Sequence, residues 1–422
     1  MNDLIIGTTI FIITLVAILL DKMHRMIVAL VGAVAMLVFL AGRYSQKEAF
    51  AAIDFNTIFL LLGMMILVDI LKKSGIFQYL AIKFAKLGKG EPSLLIILLP
   101  ILTAIMAAFM DAVTAVLLIA PITFVIVDAL GLHPVPFLLA EGMAANIGGT
   151  ATLVGDPPNV MIGSAAGLSF MDFVTNVGPV TVIVLLAFAI SIRYLFRKEL
   201  FILSELKEMV LAFDEKKAIL DVKLMRKGAI VMGLVIIAFI FHDKLHLEVA
   251  TIAMGGAALM FLVARANPSE VLKSLDWPTL LFFMSFFIVV GGLEKVGTIA
   301  LLANGTVKIT KGNPTLMSML MLWFSAFASS MVDNIPYTAT MIPLVRTLTT
   351  TSIAPLWWAL SLGTCLGGNG TLIGASSNIA IAGISEKEGY PITFKTFMKY
   401  GMPLMIQSML ICTAYIYLRY LM

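Results

Sequence analysis

The stretch GGTATLVGDPPN at residues 148–159 returns as GGNGTLIGASSN at residues 367–378. This polar repeat inside apolar sequence decides the fold. Asp111 and Asp333 recur with nearly the same spacing. A membrane protein that repeats a hydrophobic unit together with its polar breaks commonly builds its translocation site from them. We therefore expect two related halves around one polar site.

The composition predicts a chain embedded in a lipid bilayer. Hydrophobic residues make up 60% of the 422 residues, charged residues make up 13%, and the mean hydropathy is +1.02. Soluble domains average about 45–50% apolar and about 25% charged residues. The run 4–20 has no positive leader or small-residue cleavage site, so it predicts a first span rather than a removable signal. The net charge of +4 shows no basic footprint that would indicate a nucleic-acid partner.

Apolar runs of about 17–25 residues predict ten transmembrane helices. They lie at 4–20, 25–41, 57–71, 135–168, 178–196, 227–241, 247–264, 279–293, 355–384 and 402–420. The fourth run of each half is interrupted near its middle, so we expect a broken helix at the midplane in each. The fold class is therefore an all-α polytopic membrane protein.

Two further apolar runs, 94–128 and 315–349, carry Asp111 and Asp333 near their centres. Each is too long for one crossing, and arms of roughly 16 residues, about 24 Å, are short for a core of about 30 Å. We expect two re-entrant hairpins with aspartate at the tip. Two tight spans with an interfacial aspartate are the alternative. Each half then has five crossings, and this odd number makes the two repeats inverted.

The distribution of Lys and Arg predicts the orientation. The expected topology places 21 of these residues on one side and seven on the other. The positive-inside rule then puts the linker 197–225 in the cytoplasm and both termini outside the plasma membrane. We expect repeats at 1–200 and 226–422, joined by 201–225. Charges at helical spacing in this linker predict a solvated surface helix.

The glycine and proline pairs inside the broken helices predict freed backbone groups. Irregular backbone at membrane depth needs surrounding protein or a water-filled cavity. Gly148 and Gly149 remove side chains, and Pro157 and Pro158 remove N–H donors. Half-helix N-termini favour anions, whereas free carbonyls suit Na⁺, so either sign of substrate is open. A kink used only for packing is the alternative.

Aspartates in apolar sequence are the candidate ion-binding groups. A carboxylate at the depth of Asp111 or Asp333 needs a proton, a cation or a partner, so the pair suits Na⁺ or H⁺ uptake. Capping of the following helix, which the spacing of Asp111 and Thr114 allows, is the alternative and is compatible with ion binding. Asp54 and Asp276 each precede a span and predict helix N-caps.

Glu141 and Asp69 also fall within predicted spans. Neither has an acidic counterpart in the other half, and both are further candidates for a proton pathway. The four His and two Cys residues are scattered along the sequence. They predict neither a nucleophile with its base nor a metal cluster, so we expect no enzyme and no cofactor other than Na⁺.

The motifs VDNIPYTATMIP at 332–343, CLGGNGTLIGASSN at 365–378 and GDPPN at 155–159 resemble the P-protein branch of the ArsB/NhaD permease family. This branch lies in the ion transporter superfamily, with citrate and dicarboxylate carriers as distant relatives. The resemblance covers nearly the whole chain. It implies a homodimer built on a scaffold of the remaining spans. Segments 94–170 and 315–384 would form a transport domain that moves like an elevator.

The same resemblance implies a site between hairpin tips and broken helices. With the break glycines, the expected ion- or substrate-binding residues are Asp111, Thr114, Asn146, Gly149, Thr150, Thr152, Asp156, Asn159, Asp333, Asn334, Thr338, Gly368, Asn369, Thr371, Ser377 and Asn378. Na⁺ is expected near Asp111 and Asp333.

The sequence therefore predicts a secondary active ion transporter coupled to Na⁺ or H⁺. Aspartate at both tips disfavours a dicarboxylate through like-charge repulsion unless a cation intervenes. Arsenite or antimonite efflux is the main alternative. A chloride or di/tricarboxylate transporter and an anion channel of the same fold are also open.

Overall fold

The computed structural model describes residues 2–20, 22–200, 204–348 and 353–422, without the side chains of 204–206, and contains helices but no strand in these ranges. The first half comprises α1 (Asn2–Leu19), α2 (Arg25–Phe39), α3 (Gln46–Ala51), α4 (Phe55–Lys72), α5 (Ile76–Leu87), α6 (Pro92–Ala107), α7 (Ala112–Ala129), α8 (Val135–Thr150), α9 (Pro157–Ala166), α10 (Phe170–Asn176) and α11 (Gly178–Leu195).

The linker and the second half comprise α12 (Ser204–Leu211), α13 (Val222–Ile240), α14 (His242–Leu245), α15 (Val249–Ala264), α16 (Pro268–Ser274), α17 (Trp277–Lys295), α18 (Thr298–Thr310), α19 (Pro314–Met331), α20 (Asn334–Thr347), α21 (Ala354–Gly367), α22 (Ser376–Lys387) and α23 (Phe394–Ile416). Short 3₁₀ turns lie at Glu215–Ala218, Gly368–Gly370 and Leu372–Gly374, and a π turn lies at Tyr417–Leu421.

The all-α polytopic fold is confirmed. Within the described residues, seven helices are long and apolar enough to cross a bilayer: α1, α4, α7, α11, α17, α19 and the C-terminal Phe394–Leu421. Helices α2, α6 and α15 are apolar but shorter.

The predicted hairpins are present as the pairs α6 with α7 and α19 with α20. Their arms are less uniform than expected: α7 and α19 have 18 residues, whereas α20 has 14. The arm α7 is extended because it continues through Pro121 to Ala129. Length alone would therefore allow one arm of each pair to cross the bilayer.

The packing of helices repeats with the symmetry of the sequence. Helix α4 packs against α15, and the equivalent helices α17 and α2 pack against each other. The α6 and α8 contact is repeated by α19 and α21. Helix α7 packs on α22, as its equivalent α20 packs on α9. Both halves therefore contribute matching helices to one central bundle. The predicted division into scaffold and transport domains stays a prediction.

The glycine pair of the first half was expected to break α8, and this placement was wrong. The helix continues through Gly148 and Gly149 to Thr150, and the irregular segment follows it. A Cβ on Gly148 would lie 2.0 Å from the carbonyl oxygen of Ala104 on α6. The equivalent Gly367 meets Ala326 on α19 at 2.6 Å. These glycines therefore allow close helix packing, as small residues commonly do between membrane helices.

The predicted N-caps are confirmed. Asp54 accepts hydrogen bonds from the backbone of Asn56 and Thr57, and Asp276 accepts one from Thr279. Both aspartates also accept a bond from the threonine hydroxyl, at 2.6 Å and 2.5 Å respectively. The two caps occupy equivalent positions and begin the equivalent helices α4 and α17.

The described linker is largely exposed and contains the helix α12, as expected for a solvated surface helix, and it is also docked against the first half. Lys86 on α5 forms an ion pair with Glu215 at 2.7 Å, and Lys207 pairs with Glu91. The backbone N–H of Leu220 donates to the carbonyl of Ser74. Helix α13 begins at residue 222, earlier than the predicted repeat boundary at 226.

Candidate functional site

A cavity of about 510 Å³ lies between the hairpin tips, the broken helices and helices α2, α4 and α17. Six of the predicted site residues line it: Asp111, Thr114, Asn146, Asp156, Asn334 and Ser377. The cavity therefore joins groups from both halves. Its other lining residues include His24, Arg25, Asp69, Lys72, Asp276 and Thr279.

Asp111 lies at the tip of the first hairpin and starts α7. Its carboxylate accepts bonds from the backbone N–H of Thr114 at 2.9 Å and from the Thr114 hydroxyl at 2.5 Å. The predicted capping role is thus confirmed. Within the described part of the chain, no Lys, Arg or His forms an ion pair with this carboxylate. The charge of Asp111 is therefore available to a cation from the cavity.

Asp333, at the tip of the second hairpin, has a different environment. Arg25 Nη1 at the start of α2 donates to Asp333 Oδ2 at 2.9 Å. The same nitrogen donates to the hydroxyl of Ser376 at 2.6 Å, and this hydroxyl donates to Asp333 Oδ2 at 2.9 Å. The side chain of Asp333 is only 10% exposed. Arg25 thus separates Asp333 from the cavity and neutralises it.

Asp156 lies at the first break, directly before α9. The amide of Asn334 lies 3.3 Å from Asp156 Oδ1 and 3.4 Å from Oδ2, which links the first break to the second hairpin tip. The Asn334 amide is neutral, so its hydrogen bond leaves the negative charge of Asp156 uncompensated. No described Lys or Arg forms an ion pair with it. Asp111 and Asp156 are therefore the two unpaired carboxylates of the predicted site.

A network of side-chain hydrogen bonds, mostly between amides, joins the two broken helices. Asn146 Nδ2 donates to Asn369 Oδ1 at 2.8 Å and to Asn378 Oδ1 at 3.1 Å. Ser377 donates to Asn146 Oδ1 at 2.6 Å. In the symmetric position, Asn159 accepts from Ser361 at 2.6 Å and from Cys365 at 3.5 Å. These side chains hold the half-helices together, and Asn146 and Ser377 among them also line the cavity.

The two breaks are stabilised by the same side chains in each half. Asn159 Nδ2 donates to the carbonyls of Thr150 and Thr152, and the equivalent Asn378 donates to those of Gly368 and Thr371. These bonds satisfy carbonyls that a broken helix would leave free in the membrane.

The threonine of each break anchors it to the neighbouring hairpin. Thr152 donates to the carbonyl of Ala108 at 2.5 Å, and Thr371 donates to that of Ser330. These bonds connect each break to the arm that leads to Asp111 or Asp333.

Ten predicted site residues lie outside the lining of the cavity. They are Gly149, Thr150, Thr152, Asn159, Asp333, Thr338, Gly368, Asn369, Thr371 and Asn378. In the structure most of them form hydrogen bonds within the breaks and hairpin tips. Their direct binding of an ion or substrate stays a prediction.

The two remaining acidic candidates differ in their contacts. Asp69 lies 2.6 Å from Lys72, an ion pair on α4 without hydrogen-bond geometry. Glu141 on α8 is fully buried and accepts a bond from Thr123 at 2.5 Å, while its Oε2 has no hydrogen-bond partner. Glu141 lies outside the cavity lining. No group of three or more His, Cys, Asp or Glu side chains in the described ranges is arranged to hold a metal ion.

Arg25, Thr279 and Ser376 were missed by sequence reasoning. In the sequence, Arg25 contributes only to the charge of a predicted loop, and Ser376 is one residue of the glycine-rich motif at 365–378. One signal was available: the residue equivalent to Arg25 in the second half is Leu247, and that of Ser376 in the first half is Pro157. A polar residue that aligns with an apolar residue in the other half indicates a function that the two halves do not share.

The all-helical fold, the paired breaks and the polar cavity define a polytopic membrane transporter. Residues 15–363 match the citrate transporter family. The chain belongs to this family.

Curated relatives extend this result. The chain is 41% identical to an uncharacterized transporter, Rv2684, of Mycobacterium tuberculosis over 99% of this chain and 98% of that protein. It is 40% identical to a 46 kDa membrane protein of Mycobacterium leprae, with 99% of each covered. The P protein of Sus scrofa is 34% identical over 95% of this chain, which spans 58% of that protein. The predicted P-protein resemblance is confirmed, whereas the finer ArsB/NhaD placement stays a prediction.

The fold is also similar to that of the YdaH transporter of Alcanivorax borkumensis, whose crystal structure is described as revealing an unusual topology. The TM-score is 0.53, with 95% of this chain and 90% of that chain covered. At 13% sequence identity, this likeness supports the fold alone.

Proposed function

We propose that the chain is a secondary active transporter coupled to Na⁺ or H⁺, and that Asp111 and Asp156 take up the coupling cation. The single observation that carries this proposal is the pair of unpaired carboxylates facing one cavity at the tip and break of the first half. A carboxylate buried in a bilayer costs at least about 2–3 kcal/mol unless a proton or cation neutralises it. Cation binding would remove this cost.

The cargo is a separate question from the coupling ion. The family description favours a tricarboxylate such as citrate as the second candidate. Arg25 and Lys72 are cationic groups of the cavity lining, with Lys72 paired to Asp69, and Ser376 and Ser377 lie at the N-terminus of α22, where helix dipoles attract negative charge. Because Arg25 is already paired with Asp333, we expect an anionic cargo to enter together with a cation.

The proposed orientation has the linker in the cytoplasm and both termini outside, in the plasma membrane. Lys72 and Ser274, which line the cavity, lie in segments that the charge distribution assigns to the cytoplasmic side. The structure would then represent an inward-open state. We propose that elevator movement of 94–170 and 315–384, within a homodimer, produces the outward-open state.

Reconstitution into proteoliposomes tests the proposal. Protein would be reconstituted with imposed gradients of Na⁺ or H⁺, and uptake of citrate, chloride and arsenite would be followed separately. We expect accumulation of one cargo only when a cation gradient is present. Cargo movement that ignores both gradients would contradict the coupling. Currents far above carrier turnover would instead favour an anion channel.

A further inference from the structure

The two hairpin tips are equivalent in sequence but opposite in electrostatic environment. Arg25 of the first half forms a closed hydrogen-bonded cluster with Ser376 and Asp333 at the second hairpin tip. The repeat equivalents of these three residues are Leu247, Pro157 and Asp111. Leu247 carries no charge, and Pro157 carries no hydroxyl. The first tip therefore lacks both groups that neutralise the second.

The opposite asymmetry occurs at the breaks. Asp156 contributes a carboxylate to the first break, where the second break has Ala375. The partner of Asp156 is the amide of Asn334, whose repeat equivalent is Ala112. The polar site thus has an additional carboxylate at the first break and an arginine at the second hairpin tip, and neither has a counterpart at the equivalent position.

We propose that Arg25 is the resident counter-ion of Asp333, and that it fills with a guanidinium the position where an exchangeable cation would otherwise bind. This inference rests on the proposed function. The chain then has one exchangeable cation position, at Asp111 and Asp156, rather than one at each tip. Arg25 is a specificity-determining residue because it sets how many cations the protein takes up.

The contacts of Arg25 fit a permanent partner. Its guanidinium carbon lies 5.4 Å from the ring centroid of Phe282, and Nη2 lies 3.5 Å from the hydroxyl of Thr279. Both residues belong to α17, which packs against α2. Arg25 is therefore held by α17 as well as by Asp333 and Ser376, and its side chain is only 26% exposed. A guanidinium stays charged at every physiological pH, unlike a Lys or His that could release a proton.

Counting bound Na⁺ on the purified protein tests the inference without transport. Equilibrium dialysis with radioactive Na⁺ at alkaline pH would be applied to wild type, Arg25→Gln, Arg25→Lys and the double variant Arg25→Gln with Asp333→Asn. We expect one site in wild type, two in Arg25→Gln, and one in both other variants. The double variant Lys72→Gln with Asp69→Asn is the matched control, because it removes a charge pair from the same cavity without touching Asp333 and leaves no newly unpaired carboxylate, so it should retain one site. Size-exclusion chromatography would show that each variant is folded.

The outcomes separate the inference from the proposed function. Two sites in wild type, or equal counts in Arg25→Gln and in the double variant Lys72→Gln with Asp69→Asn, would overturn the role of Arg25 while leaving cation coupling intact. No site in wild type but one in Arg25→Gln would support Arg25 and contradict Na⁺ binding at Asp111. No site in any variant would overturn both with respect to Na⁺. If Arg25→Gln does not fold, Arg25→Leu, which introduces the residue type of the equivalent Leu247, is expected to hold two sites, and a single site in it would overturn the inference.

Discussion

Asp111 and Asp333 illustrate how a shared residue acquires two environments. Both cap the helix that follows, through Thr114 and Ile335 respectively. Only Asp333 has an ion-pair partner in the described chain, and that partner is Arg25, which lies 308 positions away in sequence. The aspartates were therefore predictable from the repeat, but the charge state of their surroundings was not. Tertiary contacts between the halves decide it.

Glu141 provides a test at the scale of one residue. It is fully buried without a described cationic partner, so a charged form would be costly and we expect the carboxyl to be protonated. Glu141→Gln should then leave the melting temperature in detergent nearly unchanged, since the amide oxygen still accepts from Thr123. Glu141→Ala should lose about 2–5 kcal/mol through the cavity it leaves. Equal destabilisation by Gln and Ala would show that the charge itself is required.

The break glycines were recognised from sequence, but their role was not. Gly148 belongs to the continuous helix α8, and its importance lies in contact with α6. A pattern of glycines does not distinguish a break from a close helix approach, because both need a missing side chain. The proline pair was more informative, because α9 begins at Pro157. Proline suits the first position of a helix, where the backbone N–H that it lacks would have no partner within the helix.

Substitution of the packing glycines should separate the two roles. Gly148→Ala would place a Cβ 2.0 Å from a backbone oxygen, so α6 and α8 must separate, and we expect a loss of roughly 1–3 kcal/mol. Gly367→Ala should behave alike. Gly255→Ala is the control, because no atom lies within 4 Å of its added Cβ, and it should be neutral or stabilising by up to about 1 kcal/mol. Thermal unfolding would measure this, and a stable Gly148→Ala protein would contradict the packing.

The asparagines of the breaks should be equally important in both halves. Asn159 and Asn378 each donate to two carbonyls of their own break. Replacement by Ala leaves these acceptors unsatisfied, at a cost of about 1–3 kcal/mol for each variant. Because the two asparagines make equivalent hydrogen bonds, we expect Asn159→Ala and Asn378→Ala to lower the melting temperature by similar amounts. A shift confined to one variant would show that the two breaks are not equivalent in stability.

At the scale of the whole molecule, the parity of the spans predicted two inverted repeats, and the all-α fold with matching helix contacts agrees with this organisation. Sequence periodicity identifies helices and their order because burial in lipid requires long apolar runs. It does not predict where the cavity opens, since that depends on which of two symmetric arrangements the chain adopts.

Cysteine labelling should reveal the opening of the cavity. Thr279 lines it, whereas the equivalent Thr57 is fully buried. Thr57→Cys would be accessible only in a minor conformation, and such states are populated at about 0.1–10%. A membrane-impermeant thiol reagent should therefore modify Thr279→Cys at least about tenfold faster than Thr57→Cys. Modification should occur from the side of the linker. The native Cys365 and Cys412 are buried and supply the background. Equal rates from both sides would argue against a single open state.

The most direct test of the central claim is cation-driven transport by Asp111→Asn. Asn can still accept the capping bond from the Thr114 N–H through Oδ1, and its Nδ2 can donate to the Thr114 hydroxyl, but it carries no negative charge. Asp54→Asn is the matched control, since Asp54 caps α4 outside the cavity lining. In proteoliposomes with an imposed Na⁺ or H⁺ gradient, we expect Asp111→Asn to lose the cation dependence of transport and Asp54→Asn to retain it. Unchanged cation dependence in a folded Asp111→Asn protein would contradict the claim.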